Sequence, residues 1–401
     1  MMQERYQMML EMIQARLLEK KRGMDFFIDA LFRNILRAYD PELPTVYVSG
    51  YAFPMELLWA FDVTPFDFEI ACNNLPEVMT GNGSGLMLES EKRGYSRNIC
   101  SFDRLIIGCL HQGILPKGDL FLTSSYYCHG KAKTNEVVAA HYGMESVLLD
   151  VPNEISPAAI TYVATQLRNI AAKLEAVTGT KLDPARLKES IHRSNQARAS
   201  LLTICDWMKR RPCPWNGVEA CLLGLGGALF WGSPVRIEIH RLLLTQILER
   251  VEKGKTIPED YRILWFPWVP VQNTNIFKIL KENCANVVMA EASFVFWPEL
   301  DENRPFESLA MKALLDPHVG KAERRIQNLV QSIDDYQIDG AIHFSTTSCY
   351  HENTAFPIIR DAIKKKGVPL LNLSGDMSDE RNYSAAETNI RISAFMELLA
   401  G

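Results

Sequence analysis

Positive charge is not in excess in this sequence: 43 lysines and arginines stand against 48 aspartates and glutamates, a net charge of −5, with the signs interleaved. The basic stripe of a nucleic-acid binder is missing, so nucleic acid is not an expected partner. A long apolar run is also lacking. The longest, residues 220–231, is about a dozen residues interrupted by three glycines, against the ~20 that a spanning helix needs. The N-terminal residues carry charges throughout, with no apolar centre leading to a small-residue cleavage site. No secretory signal and no membrane partner are therefore expected, and a cytoplasmic address follows. The phosphate loop G-x-x-x-x-G-K-[ST] does not occur, so nucleotide hydrolysis would need another chain. The nine cysteines are odd in number and never spaced C-x-x-C. That speaks against a disulfide framework and for reduced thiols, some of them metal ligands.

What is present is a globular composition, 47% hydrophobic and 23% charged over 401 residues, a length that suggests two or three domains. Residues 4–38 repeat apolar side chains at spacings of three and four, which predicts an N-terminal helical segment over residues 1–40. A β-branched run at 45–48 reads as a strand, and Tyr51-Ala-Phe-Pro54-Met-Glu56 after it reads as a helix start with proline in its first turn. A second strand is expected near 63–70. Beyond it the helix 101–112, strand 119–123, helix 130–142 and strand 146–151 alternate, the pattern of a parallel, helix-covered sheet. This gives a first α/β lobe over 41–153. Residues 154–258 read as a helical bridge, opened by Ser156-Pro157, a cap followed by proline at the first helical position. Strands at 262–266, 286–290, 340–344 and 368–373 alternate with helices and predict a second α/β lobe over 259–401.

The two lobes resemble each other. Asp119 precedes Cys128 by nine positions and Asp339 precedes Cys349 by ten, each pair enclosing a strand. Each lobe would thus offer a cysteine at the carboxyl end of its third strand, where ligands of open α/β sheets bind. Cys100, Cys128 and Cys349 have polar or aromatic neighbours and precede helices whose N-termini favour a thiolate. Cys109, Cys205, Cys221 and Cys284 read as core residues; Cys213 is on a loop, and Cys72, after the second strand, could lie near the cleft but is not assigned to the site. The residues alone leave three chemistries open: a cluster on three thiolates, a zinc site recruiting His129 or His351, and a Cys-His nucleophile with His129, His343 or His351 as base.

Several motifs, in order, then carry a specific resemblance. They are Tyr51-Ala-Phe-Pro-Met-Glu56-Leu57, Cys100-Ser-Phe-Asp-Arg, Asp119 to Cys128, Asp150-Val-Pro152, Asn195-Gln-Ala-Arg198, Arg262-Ile-Leu and Val287-Val288. The last are Cys349 to Gly367-Val-Pro-Leu-Leu-Asn-Leu-Ser-Gly-Asp376 and the closing Arg391-Ile-Ser-Ala-Phe395-Met-Glu397-Leu-Leu. In these the chain resembles the subunits of 2-hydroxyacyl-CoA dehydratases and benzoyl-CoA reductases. It departs from them at Asn389-Ile, where the family has threonine before the arginine, and within Cys284-Ala-Asn-Val, where it has a glycine.

The resemblance implies two flavodoxin- or Rossmann-like parallel-sheet lobes with a [4Fe–4S] cluster on Cys100, Cys128 and Cys349 in the cleft between them. It also implies a related cluster-bearing partner subunit, an acyl-CoA substrate and an ATP-dependent iron–sulfur activator that injects one electron. The thioester carbonyl then becomes a ketyl radical anion that expels the neighbouring hydroxyl. Benzoyl-CoA reduction, electron relay to a partner, and a double-cubane arrangement are the alternatives within the family. Ser49, Glu56 and His129 are candidate catalytic residues, with Lys131 and Lys133 as candidate contacts to a carbonyl or to CoA phosphates. Glu56 has a second reading, as a first-turn carboxylate stabilising its helix.

Overall fold

The structure, a computed structural model, describes residues 2–49, 51, 53–126, 128–219, 227–270 and 274–401. Two four-stranded sheets organise it. The first holds β1 (Thr45–Val48), β2 (Thr64–Asp67), β3 (Leu120–Ser124) and β4 (Glu145–Leu149); the second holds β5 (Tyr261–Phe266), β6 (Ala285–Ala290), β7 (Gly340–Thr346) and β8 (Leu370–Gly375). Their orders are β2-β1-β3-β4 and β6-β5-β7-β8, and every pairing is parallel. The expected α/β class with two parallel sheets is thus observed, and the two sheets share one topology.

The same residue type fixes the register in both. Asp119 Oδ2 accepts from the Thr45 amide at 2.8 Å while the Asp119 amide donates to the Thr45 carbonyl at 2.8 Å. In the second sheet Asp339 Oδ2 accepts from the Arg262 amide at 2.8 Å and its own amide donates to the Arg262 carbonyl at 2.9 Å. These aspartates pin the third strand beside the first, so the chain order reverses at an equivalent point of each sheet. The crevice at such a reversal is where open α/β sheets bind ligands.

Burial follows the pleat. On β5, Ile263 and Trp265 pack into one apolar cluster and Leu264 and Phe266 into another, as expected of a strand covered on both faces. Helices Met2–Glu19 and Gly23–Arg37 pack against each other, and the second of them lies against the first sheet and helix Pro234–Glu252. Helices Pro157–Thr178 and Pro184–Met208 start as the sequence suggests: Ser156 Oγ accepts from Ala159 N at 3.1 Å, Asp183 Oδ1 from Ala185 N at 2.8 Å, each with proline next. Two expectations change. Residues 53–60 form turns and a short 3₁₀ segment, Leu58–Ala60, rather than a helix. Helix Pro305–Leu315, which the periodicity did not suggest, fills space beside the bridge helices.

Buried ion pairs clasp the two halves of the chain. Arg104, fully buried on helix Ser101–His111, reaches Asp379 Oδ2 and Glu91 Oε1, both at 2.9 Å; Arg381 binds the same two residues at 2.7 and 2.6 Å. The Arg381 contact is the largest influence on Glu91 and holds its carboxyl below the ordinary range. Burial pulls Asp379 upward, but Arg381 and Arg104 outweigh it, and its net shift is also down. Depressed carboxylates stabilise the fold above their unfolded pKa values of ~4 and cease to do so as pH falls through their folded values. The apparent Tm should therefore hold between about pH 7 and 5 and fall steeply below about pH 4. Arg104→Met should flatten that acid limb, as measured by thermal unfolding across the pH series.

Candidate functional site

Each of the three singled-out cysteines is the N-cap of a helix. Cys100 precedes Ser101–His111, Cys128 precedes His129–Tyr142 and Cys349 precedes Tyr350–Lys365. Cys128 follows β3 and Cys349 follows β7, the third strand of each sheet, at the reversal point. Ser348, just before Cys349, takes the left-handed conformation with φ 66°, a costly geometry for a side chain with a Cβ. All three thiols are partly buried, and the described cysteines form no disulfide.

Their electrostatics couple across the two lobes. Burial pushes the Cys100 thiol up, Asp103 and Cys349 add to this, and Lys131 opposes it. Burial also pushes Cys349 up to about 12, with Glu352 and Cys128 adding while the Glu352 amide and Arg325 oppose. Burial thus disfavours the thiolate at Cys100 and Cys349, and a bound soft metal would displace their protons.

Among the described residues no three His, Cys, Asp or Glu side chains converge on one point as ligands of a single ion would. A cubane differs, because each thiolate binds a different iron and the sulfurs surround the cube. Three partly buried, unbridged thiols at helix N-termini on two sheets fit such a group in donor type. Gly130 stands beside one of them: a Cβ there would lie at ordinary contact distance, 3.6 Å from Cys128 Sγ and 3.7 Å from Asp103 Oδ2.

Around the cysteines lie buried charges that the sequence did not single out. Arg325 binds Glu291 in bidentate fashion at 2.6 and 2.8 Å and Glu352 at 2.6 Å. His318 lies 3.2 Å from Asp316 and 3.6 Å from Glu352. Burial and Arg325 disfavour its proton, but the carboxylates prevail and its pKa is raised. Its ring stacks on Trp268 with centroids 5.6 Å apart and lies 6.0 Å from that of His351.

Glu56 is not a helix-start carboxylate. It is fully buried, with Oε1 2.6 Å from Lys312 Nζ and accepting from Ser194 Oγ at 2.5 Å. Gly232, at φ 90°, permits this close approach, since a Cβ there would lie 2.9 Å from Glu56 Cα. Lys312 also stands over Trp297 and Trp231, 4.5 and 5.0 Å from their centroids. Lys312, Trp231 and Trp297 line a pocket together with Tyr51, Phe53, Tyr126, Phe296 and His240, and Glu56 stands behind Lys312. His240 Nδ1 faces the Ala197 carbonyl at 2.8 Å and must donate to it, while burial holds the ring neutral. Its Nε2, which has no partner among the described residues, is then an acceptor.

Of the other candidates, Ser49 is partly buried immediately past β1. His129 opens its helix, but its side chain lies outside the described residues, as does Cys221. Lys131 turns inward to Asp103 and Glu69, whereas Lys133 is exposed and pairs with Glu136. Cys72 and Cys213 are fully buried in the core. Lys312 had a signal in sequence, a single cation inside the apolar run Leu309-Ala-Met-Lys-Ala-Leu-Leu315.

The profile of the family described as 2-hydroxyglutaryl-CoA dehydratase, D-component, matches residues 51–399. The chain belongs to that family. Among curated relatives, it is 26% identical to the alpha subunit of (R)-2-hydroxyglutaryl-CoA dehydratase from Acidaminococcus fermentans, over 72% of this chain and 62% of that one. It is 25% identical to one of the subunits of benzoyl-CoA reductase from Thauera aromatica, over 86% of each chain. It is 23% identical to the (R)-2-hydroxyisocaproyl-CoA dehydratase alpha subunit from Clostridioides difficile, over 95% of this chain and 97% of that one. The chain spans less than two thirds of the first of these. No helix among the described residues is long and apolar enough to cross a membrane.

Proposed function

We propose that this chain is the [4Fe–4S]-bearing subunit of a radical 2-hydroxyacyl-CoA dehydratase, with Cys100, Cys128 and Cys349 as the protein ligands. The observation that carries the reading is the placement of three partly buried thiols at three helix N-termini, two of them at equivalent reversal points of two like sheets. Family membership and relatives named as dehydratase alpha subunits support it. When bound, the cluster would supply one low-potential electron and an iron without a protein ligand.

The chain's own residues do the rest. The thiols exchange protons for iron, and Arg325 and Lys131, each paired with two carboxylates, partly neutralise the acidic side chains around them. The aromatic pocket lined by Tyr51, Tyr126, Phe296 and Trp297 is the seat for the acyl part of the thioester, because its walls exclude water from a reactive centre. Glu56, held by Lys312 and Ser194, is a carboxylate fixed beside that pocket for proton transfer, with Ser49, immediately past β1, and His129, at the start of its helix, as the other candidates. A related subunit and an ATP-hydrolysing activator complete the system.

Anaerobic purification with iron and sulfide analysis, followed by EPR with and without acyl-CoA thioesters, tests this reading. About four irons per chain and a signal perturbed by a 2-hydroxyacyl-CoA are expected. A chain reconstituted under the same conditions that binds no iron would refute it. A signal that responds to benzoyl-CoA alone would transfer the assignment to the reductase branch.

A further inference from the structure

We infer that Lys131 is a positioning residue that ties the helix beginning at Cys100 to the helix beginning at Cys128 and sets the charge beside both thiols. The inference rests on the cluster reading above. Asp103, Lys131 and Glu352 each stand three residues after their cysteine, the helix position whose side chain folds back toward the cap in a capping box. Two are acidic, as that motif prefers; Lys131 is the exception. Its Nζ lies 3.0 Å from Asp103 Oδ1 on the Cys100 helix and 3.1 Å from Glu69 Oε2 on helix Phe68–Asn73, with all three side chains at most 16% exposed.

A Cβ on Gly130 would stand 3.6 Å from Cys128 Sγ and 3.7 Å from Asp103 Oδ2, so this carboxylate lies no more than about 7.3 Å from Cys128 Sγ as well. Asp103 is therefore a neighbour of two of the three sulfurs, and Lys131 is the cation that neutralises it. Burial opposes the charge on Lys131, but Asp103 and Glu69 outweigh it and keep the ammonium protonated.

One cation with two carboxylates leaves a net negative charge beside the thiolates. Adding an electron to a cluster there is disfavoured by each negative charge and favoured by each positive one, more strongly than in water because these side chains are largely buried. Removing Lys131 and removing Asp103 must then move the reduction potential in opposite directions. A purely structural strut would not have that signature.

The test is an EPR-monitored redox titration of the full chain after anaerobic reconstitution with iron and sulfide, comparing wild type with Lys131→Gln, Lys131→Arg and Asp103→Asn. Lys131→Gln is expected to disfavour reduction at least tenfold, about 59 mV for one electron, and Asp103→Asn to favour it by a similar factor. Lys131→Arg should restore the wild-type potential. If Lys131→Gln does not accumulate as folded protein, Asp103→Asn, which keeps the Lys131–Glu69 pair, decides. Variants that bind iron and titrate with wild type, or shift in the same direction, overturn the role of Lys131 alone. Wild-type chain that binds no iron overturns the cluster reading together with this one.

Discussion

Replacing Cys100, Cys128 or Cys349 by alanine should reduce the iron content of anaerobically reconstituted protein from about four atoms per chain to nearly none. Each cysteine would hold a different iron, so losing one leaves that corner without a protein bond, and water or buffer thiol competes for it. Activity should fall with iron, by a factor limited only by the assay background. The contrast is with Cys109, equally a cysteine but fully buried on helix Ser101–His111. Cys109→Ala removes one sulfur from a packed interior, costs ~1 kcal/mol or somewhat more, and should leave iron and sulfide unchanged. Iron and sulfide determination on all four variants, with circular dichroism to confirm folding, separates ligands from core residues. Equal iron in Cys128→Ala and Cys109→Ala would sink the ligand assignment.

The sheets are legible in the sequence because their strands are short, mostly apolar runs set between helical segments, and because each lobe repeats an aspartate, a strand and a cysteine. What the sequence does not convey is which polar side chains turn inward. Lys131 and Lys133 look alike near the start of one helix, yet Lys131 is drawn into the interior by Asp103 and Glu69 and Lys133 stays in solvent. Those partners lie about 30 and 60 residues away in sequence, and only the fold brings them together.

Glu56 misleads for a local reason. Pro54 and Glu56 resemble a helix start, but Phe53, Met55, Leu57 and Leu58 are all buried, and tight turns bury such a run where one helical stripe would not. Helix Pro305–Leu315 escapes notice for the converse reason. Apolar side chains dominate the segment, so it lacks the charged face that marks a surface helix. Lys312, the partner of Glu56, is hidden with it.

The isolated chain should show no turnover, and addition of a related subunit, an ATP-hydrolysing iron–sulfur activator, ATP and a strong reductant should restore it. Two observations lead here. The sequence has no G-x-x-x-x-G-K-[ST] loop to cradle a nucleotide phosphate, so energy for a low-potential electron would enter through another protein. The helix that Cys349 opens, and the C-terminal helix, also present Tyr350, Ile358, Ile390 and Leu398 to solvent, at 72%, 53%, 71% and 64% exposure. Large apolar side chains held out in this way, with Tyr350 immediately after a proposed ligand, suit a surface that another protein covers. The measurement is loss of water from a 2-hydroxyacyl-CoA under strict anoxia, with each component omitted in turn. Turnover should vanish without ATP and without the activator, a change from full rate to background. Turnover by the isolated chain without ATP would refute this division of labour, because the chain would then supply its own driving force.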